Sequence, residues 1–206
     1  MTERKDDLGV DFDDMVFDFN EEFRKYHNKY YGTSYEFSHI WTYDMAKFLQ
    51  LEEEEKNRRV VEFYNSAEHA AGEPVEGALE ALEILSKKYV LHIVSARPEH
   101  MREFTEAWLG TRDARRFFEN VHLTNAYLTP DGTIARSKVE VCREIHAAAH
   151  LEDALHHAKA VSAAGIPVYL LDKPWNQSKP IPGVTRVRDW NEIVKALTEH
   201  ESAPAI

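Results

Sequence analysis

A single cysteine, Cys142, is all the thiol chemistry in 206 residues, so no intramolecular disulfide can form, and its helix-forming surroundings suit a small core residue. No apolar run approaches the ~20 residues needed to span a bilayer, and the first seven residues are charged and polar. The expectation is a soluble, cytoplasmic protein with no membrane partner. Positive charge is also scarce: 25 Lys and Arg face 36 Asp and Glu, for a net charge of -11. Such a chain repels polyanions, which argues against a nucleic-acid polymer as partner and leaves small phosphorylated ligands open, since a local metal can reverse the field. Low-complexity tracts and repeats of solenoid period are missing. Zinc-motif spacing is missing too. His146 and His150 are four apart but straddle an expected helix-to-strand boundary, and His156-His157 have no Cys or Glu partner at motif distance.

What is present suits one globular core with a small inserted lobe: 43% apolar and 11% aromatic residues in a chain too short for two ordinary enzyme domains. Oligomeric state is left open, with a homodimer allowed. Short apolar runs alternate with longer amphipathic segments, the pattern of a parallel α/β sheet. The runs are 8–12, 89–94, 121–123, a weak one at 148–151, 167–171 and a final weak one at 184–187. Helical patterns occupy 75–88, 98–109, 137–147, 153–164 and 189–197. Gly165 and Pro167 end the 153–164 helix, and Thr129-Pro130-Asp131-Gly132 reads as a turn. From about Phe17 to Pro74 the alternation breaks into a helical, aromatic stretch. This predicts an α/β core over 1–16 and 75–206 with a helical cap at 17–74. The run Glu52–Glu55 reads as the solvated first turn of a helix over 53–64.

Ligands of open parallel sheets sit at the carboxyl ends of strands, and here those ends carry chemistry. The first run ends in Asp11-Phe12-Asp13-Asp14, the second in Ser95-Ala96-Arg97 and the fourth in Glu152-Asp153, with Lys138 at a helix start one segment earlier. Asp11, if ionised and in line with phosphorus, can form an aspartyl-phosphate. Asp13, held protonated, can donate to the leaving oxygen and later take a proton from water. Ser95 and Lys138 can serve the equatorial oxygens, and carboxylates this close call for a cation such as Mg²⁺. Each piece alone has a plainer reading: D-x-D as a turn, Ser-Ala-Arg-Pro as a helix cap, a lone lysine as solvated.

Taken in this order at strand ends, the residues resemble the haloacid dehalogenase (HAD) superfamily of phosphatases, from about Leu8 to Asn176. The resemblance implies a Rossmann-like parallel sheet with helices on both faces and a small inserted helical cap. Asp11 and Asp13 match the nucleophile and acid/base of its first motif, Ser95 the second, Lys138 the third and Glu152-Asp153 the fourth. Magnesium would then be held by Asp11, by the backbone carbonyl of Asp13 and by Asp153, with Glu152 the remaining acidic member of the metal group, acting from behind. Within the superfamily the chain looks most like the 5′(3′)-deoxyribonucleotidases, on Val10–Asp14 followed by Phe19, on Pro74–Ala78 and on Leu171–Asn176. Asp14 and Met15 depart from the family's usual residues, and the fourth-motif run is unusually polar.

The resemblance implies a Mg²⁺-dependent phosphomonoesterase acting on a small phosphorylated metabolite, with a (deoxy)nucleoside monophosphate as one candidate. Phe19 and Trp41 are candidate walls for a base, although a small helical lobe also needs aromatics for its own core. Arg97 can fork onto a phosphate or pair with a structural carboxylate. Two alternatives stay open: a phosphotransferase, in which an alcohol intercepts the same intermediate, and a non-catalytic phospho-ligand-binding or regulatory protein.

Overall fold

The computed structural model describes residues 5–125 and 136–199; the turn expected at Thr129–Gly132 lies outside them. Six strands, β1 (Asp7–Val10), β2 (Val90–Ser95), β3 (Phe118–Leu123), β4 (Ala149–Glu152), β5 (Val168–Leu171) and β6 (Val184–Val187), form one sheet in the order β3-β2-β1-β4-β5-β6. Every neighbouring pair is parallel. The order reverses direction between β1 and β4, which is where a doubly wound sheet opens its ligand crevice.

Alternation along the strands shows why helices cover both faces. Leu8 of β1 and Leu91 and Ile93 of β2 join one cluster with Leu82 and Leu85 of α5 (Ala78–Ser86), Trp108 and Leu109 of α6 (Arg102–Thr111), and Ile193 and Leu197 of α9 (Trp190–Glu199). Val94, one residue out of phase with Ile93, packs instead on Val141 and Cys142 of α7 (Lys138–Glu144). Val168 and Leu170 meet Ala158 and Val161 of α8 (Leu155–Ala163) on a third cluster. A period of two thus sends successive side chains to opposite layers. Cys142 is buried, as its setting predicts.

The weak fourth run is a fully buried strand. Its polar members are tolerated because His150 and Glu152, two residues apart and so on one face, bond to each other. Gly165 adopts φ +85 after α8, the left-handed residue its position calls for.

Between β1 and β2 the chain makes a helical excursion through α1 (Phe19–Tyr31), α2 (Met45–Leu49), α3 (Glu53–Tyr64) and α4 (Ala67–Ala71). Its ends are tied together by a bridge between Phe17 and Pro74, with Asp18 N donating to Glu73 O at 3.1 Å and Val75 N to Val16 O at 2.9 Å. Glu53, Glu54 and Glu55 form the first turn of α3, where Glu55 pairs with Arg58 and Arg59. Phe19, Phe23, Tyr26 and Phe63 fill the excursion and run without a break into the sheet's core.

His69 of α4 is buried in this aromatic layer, 3.9 Å from the Phe104 ring and 5.1 Å from Phe17, with Nδ1 3.2 Å from Tyr64 O. Burial, helped by Arg97 and opposed by Asp13, lowers its pKa from 6.5 to about 4. Between those values the folded protein binds fewer protons here than the unfolded chain. The stability His69 contributes is therefore complete above pH 6.5 and is lost as pH falls toward 4. Because buried carboxylates titrate in the opposite sense, the signature lies in a difference. Melting temperatures of His69→Phe and wild type should converge or reverse on acidification, by roughly 5 °C between pH 7.5 and 4.5. A pH-independent difference would contradict the assignment.

Candidate active site

Asp11 follows β1 directly, and its N–H extends the ladder by donating to Leu151 O at 2.9 Å. The chain then turns sharply, because Phe12 O accepts from both Val16 N and Phe17 N at 2.9 Å while the Phe12 ring is buried edge-on against Trp108. Asp14 takes φ 58 in this turn. That explains the departure noted in sequence: a left-handed position suits Gly, and Asp is among the side chains that tolerate it. Its carboxylate also accepts from Asn20 N at 2.9 Å and Asn20 Nδ2 at 2.6 Å, seating the first turn of α1. Burial pushes Asp14 up to about 8, against the pull of Lys173.

Lys138 opens α7, where Ser137 and Glu140 form a reciprocal capping box that fixes the helix start. The buried ammonium reaches Asp11 Oδ1 and Glu152 Oε2, each at 2.8 Å. Burial opposes its charge, and the two carboxylates outweigh that and raise its pKa. Asp11 Oδ1 also accepts from Phe12 N at 2.7 Å, whereas Oδ2 has no hydrogen-bond partner among the described residues. Burial, with Glu152 and Asp13 adding repulsion, pushes Asp11 up to about 7 even beside Lys138.

Glu152 has little left to offer a metal. Oε2 accepts from Lys138 Nζ and from His150 Nε2 at 3.1 Å, and Oε1 accepts from the backbone N–H groups of Asp153 at 3.1 Å and Ala154 at 3.0 Å. A carboxylate has about four acceptor sites, and these contacts use them. Asp153 is freer: Oδ2 accepts from Trp175 Nε1 at 2.8 Å, while Asn176 Nδ2 holds its carbonyl at 2.7 Å. Asp11, Glu152 and Asp153 offer oxygens within 4.8 Å of one another, so this buried acidic cluster can hold a metal ion. Burial, followed by repulsion from Asp14, Glu152 and Asp11, raises Asp153 well above the ordinary carboxylate range. Carboxylates that repel one another in this way fit a bound dication.

Ser95 closes β2 next door, buried, its Oγ accepting from Arg97 N at 3.2 Å. Of the two roles weighed for Arg97, this structure contains the carboxylate pair. Nε and Nη2 fork onto Asp13 at 2.8 and 2.7 Å, and Nη1 lies 3.2 Å from Thr105 Oγ1. The guanidinium is 4.5 Å from the Phe12 ring and 5.4 Å from those of Phe17 and Phe104. Arg97 is 1% exposed and Asp13 25%, so Asp13 is the partner with room to move. The fork holds both Asp13 oxygens on Arg97, so an Asp13 that donates a proton has to leave it.

The aromatic residues divide. Phe19, 9% exposed, stacks on Phe23 at 6.1 Å and meets Phe63 edge-on at 5.7 Å, a core placement. Trp41 is 63% exposed, in the loop before α2. Phe37 of the excursion lies T-shaped on Trp175 at 5.6 Å, the indole that donates to Asp153. Sequence reasoning assigned no role to Phe37, Trp175, Asn176 or His150. For His150 a signal existed, because a buried strand with polar residues at i and i+2 must pair them. For the others it lay only in the 171–176 stretch, without a role attached.

A family model described as 5′ nucleotidase, deoxy (pyrimidine), cytosolic type C protein matches residues 5–199. The Bacillus subtilis (strain 168) protein named "Putative nucleotidase YqfW" is 26% identical over 201 residues, covering 94% of each chain. Among solved structures, the haloacid dehalogenase-like family hydrolase SP0104 from Streptococcus pneumoniae superposes with a TM-score of 0.68 at 14% identity, over 94% of this chain and 99% of that one. YfnB from Bacillus subtilis, solved bound to magnesium, gives 0.63 at 15% identity over 95% and 100%. These two likenesses show the HAD fold that the strand order describes. The match over nearly the whole chain places it in a family: this protein belongs to the cytosolic-type 5′ nucleotidases, phosphatases of the HAD superfamily.

Proposed function

We propose that the protein is a Mg²⁺-dependent phosphomonoesterase that hydrolyses nucleoside monophosphates through an aspartyl-phosphate on Asp11. One observation carries this reading: a buried carboxylate at the sheet's switch point has one oxygen clamped by Lys138 and the other unengaged. Oδ2 attacks phosphorus as the bond to the ester oxygen breaks, and Asp13 supplies the proton to that oxygen. Water then attacks the same phosphorus while Asp13 takes its proton, the bond to Asp11 breaks and inorganic phosphate leaves. To donate, Asp13 must give up at least part of its fork with Arg97 and hold a proton taken from solvent or from the water of the previous turnover, which its partial exposure permits. Lys138 and Ser95 serve the equatorial oxygens, where charge spreads in the transition state.

Asp11, Asp153 and the Asp13 carbonyl would hold Mg²⁺, with Glu152 supporting from behind. The ion would offset the clustered carboxylates and polarise the phosphoryl group. In this reading 17–74 is a cap over the core of 1–16 and 75–206, and it shields the leaving group from water. Phe37, packed on the Trp175 that bonds Asp153, joins Phe19 and Trp41 as a candidate to meet a base.

Phosphate release from a panel of nucleoside and sugar monophosphates, with Mg²⁺ and after chelation, tests this. The expected result is release from nucleoside monophosphates that chelation abolishes and added Mg²⁺ restores. No release from any ester, with ligands still raising the melting temperature, would instead favour a non-catalytic binding protein.

A further inference from the structure

The imidazole of His150 lies wholly buried in β4, at a strand position that an apolar side chain would ordinarily fill. Its register partner on β1 is Gly9, and a Cβ there would stand 2.7 Å from His150 Nδ1 and 3.5 Å from Cys142 Sγ. Glycine inside a strand marks a close approach, and here the approaching group is this ring. His150 Nε2 lies 3.1 Å from Glu152 Oε2; a carboxylate only accepts, so Nε2 carries the hydrogen. The same oxygen accepts from Lys138 Nζ at 2.8 Å, and Nζ continues to Asp11 Oδ1 at 2.8 Å.

We propose that His150, seated in the space left by Gly9, is a positioning residue for the nucleophile, acting through Glu152 and Lys138. This rests on the phosphohydrolase reading above. With two donors sharing Oε2, the ammonium is balanced between Glu152 and Asp11. Without His150, Lys138 becomes the only donor on that oxygen and is drawn toward Glu152, away from Asp11 and the incoming phosphate. Glu152 itself stays anchored by the Asp153 and Ala154 N–H groups, so the backbone has no cause to move.

The test compares His150→Leu, His150→Gln, His150→Ala, Gly9→Ala and the double variant Gly9→Ala/His150→Ala, reading kcat and KM at saturating Mg²⁺ on the best wild-type ester. Removing a supporting hydrogen bond of this kind costs about 10- to 100-fold. We expect a kcat loss of that order in His150→Leu with KM within about threefold, and most of it regained in His150→Gln, whose amide keeps an N–H donor. Gly9→Ala should lower kcat similarly, yet add little once His150 is already Ala, because the vacated space admits the methyl group. A general packing defect would lower melting temperatures without producing that coupling. Wild-type kcat in His150→Leu, or losses at Gly9 and His150 that simply multiply, would overturn the proposal. Should the wild type release no phosphate, the functional reading fails on its own. The positioning is then judged from a crystal structure of His150→Leu: a lengthened Lys138–Asp11 contact supports it, and an unchanged one refutes it.

Discussion

Asp11→Asn is expected to abolish turnover, with kcat lower by at least about 10⁴-fold, while the protein keeps its fold and melting temperature. The amide is nearly isosteric, so Oδ1 can go on accepting from Lys138 and Phe12 N. What disappears is an oxygen able to bond to phosphorus and later leave it. Stability should hold because burial already pushes the Asp11 carboxyl up to about 7, so a neutral group fits the surroundings as well as an ionised one. The Lys138 ammonium keeps Glu152 as its counter-ion. Steady-state phosphate release and a thermal melt on the same preparation check both halves. Retained activity would remove the nucleophile assignment, and a large loss of stability would show that the charge was structural.

Lys138→Met is expected to behave in the opposite way, losing stability as well as activity. It strands two buried carboxylates, Asp11 and Glu152, that now share one cation. Removing one partner of a buried ion pair costs about 3–5 kcal/mol, far more than the pair's net worth, because an uncompensated charge remains. Asp11 can take up a proton, so the stranded charge is that of Glu152, left with His150 and two backbone N–H groups. Mg²⁺ should recover part of the lost stability by supplying the missing positive charge, whereas turnover should stay roughly 10²- to 10³-fold down for want of the equatorial donor. Chemical denaturation with and without Mg²⁺ measures the first effect and kcat the second. Wild-type stability in metal-free Lys138→Met would mean that the three charges do not form one unit.

The contrast between these variants reflects how the site is built. Asp11 is chemically exposed on one oxygen and replaceable in shape, while Lys138 is enclosed and irreplaceable in charge. Around them, Trp175 and Asn176 orient Asp153, and Arg97 pins Asp13 from a pocket of three rings.

Much of this was readable in the chain. The helix over 53–64, opened by its acidic first turn, and the weak run at 184–187 have the expected bounds, and the inserted helical stretch shows itself by the loss of strand-like runs. Asp11, Ser95, Lys138 and Asp153 stand at or beside strand ends because parallel topology brings carboxyl ends to one edge. Harder to read was anything decided by pairing across long separations. Arg97 with Asp13 and Trp175 with Asp153 lie 84 and 22 residues apart, and no local period encodes which partner a fork or an indole will choose. Phe19 and Trp41 show the same limit from the other side, since composition marks aromatics without saying which are enclosed and which face water. The polarity of 148–151 was a signal with its meaning hidden: His150 and Glu152 weaken the strand's apolar pattern because they support the site.

The most direct measurement of the central claim is a rapid acid quench during turnover, followed by peptide mass spectrometry. The account predicts a phosphoryl adduct on the peptide carrying Asp11, absent in Asp11→Asn and discharged when substrate is exhausted. Steady phosphate release with no adduct at any quench time, or an adduct on a different residue, would contradict it.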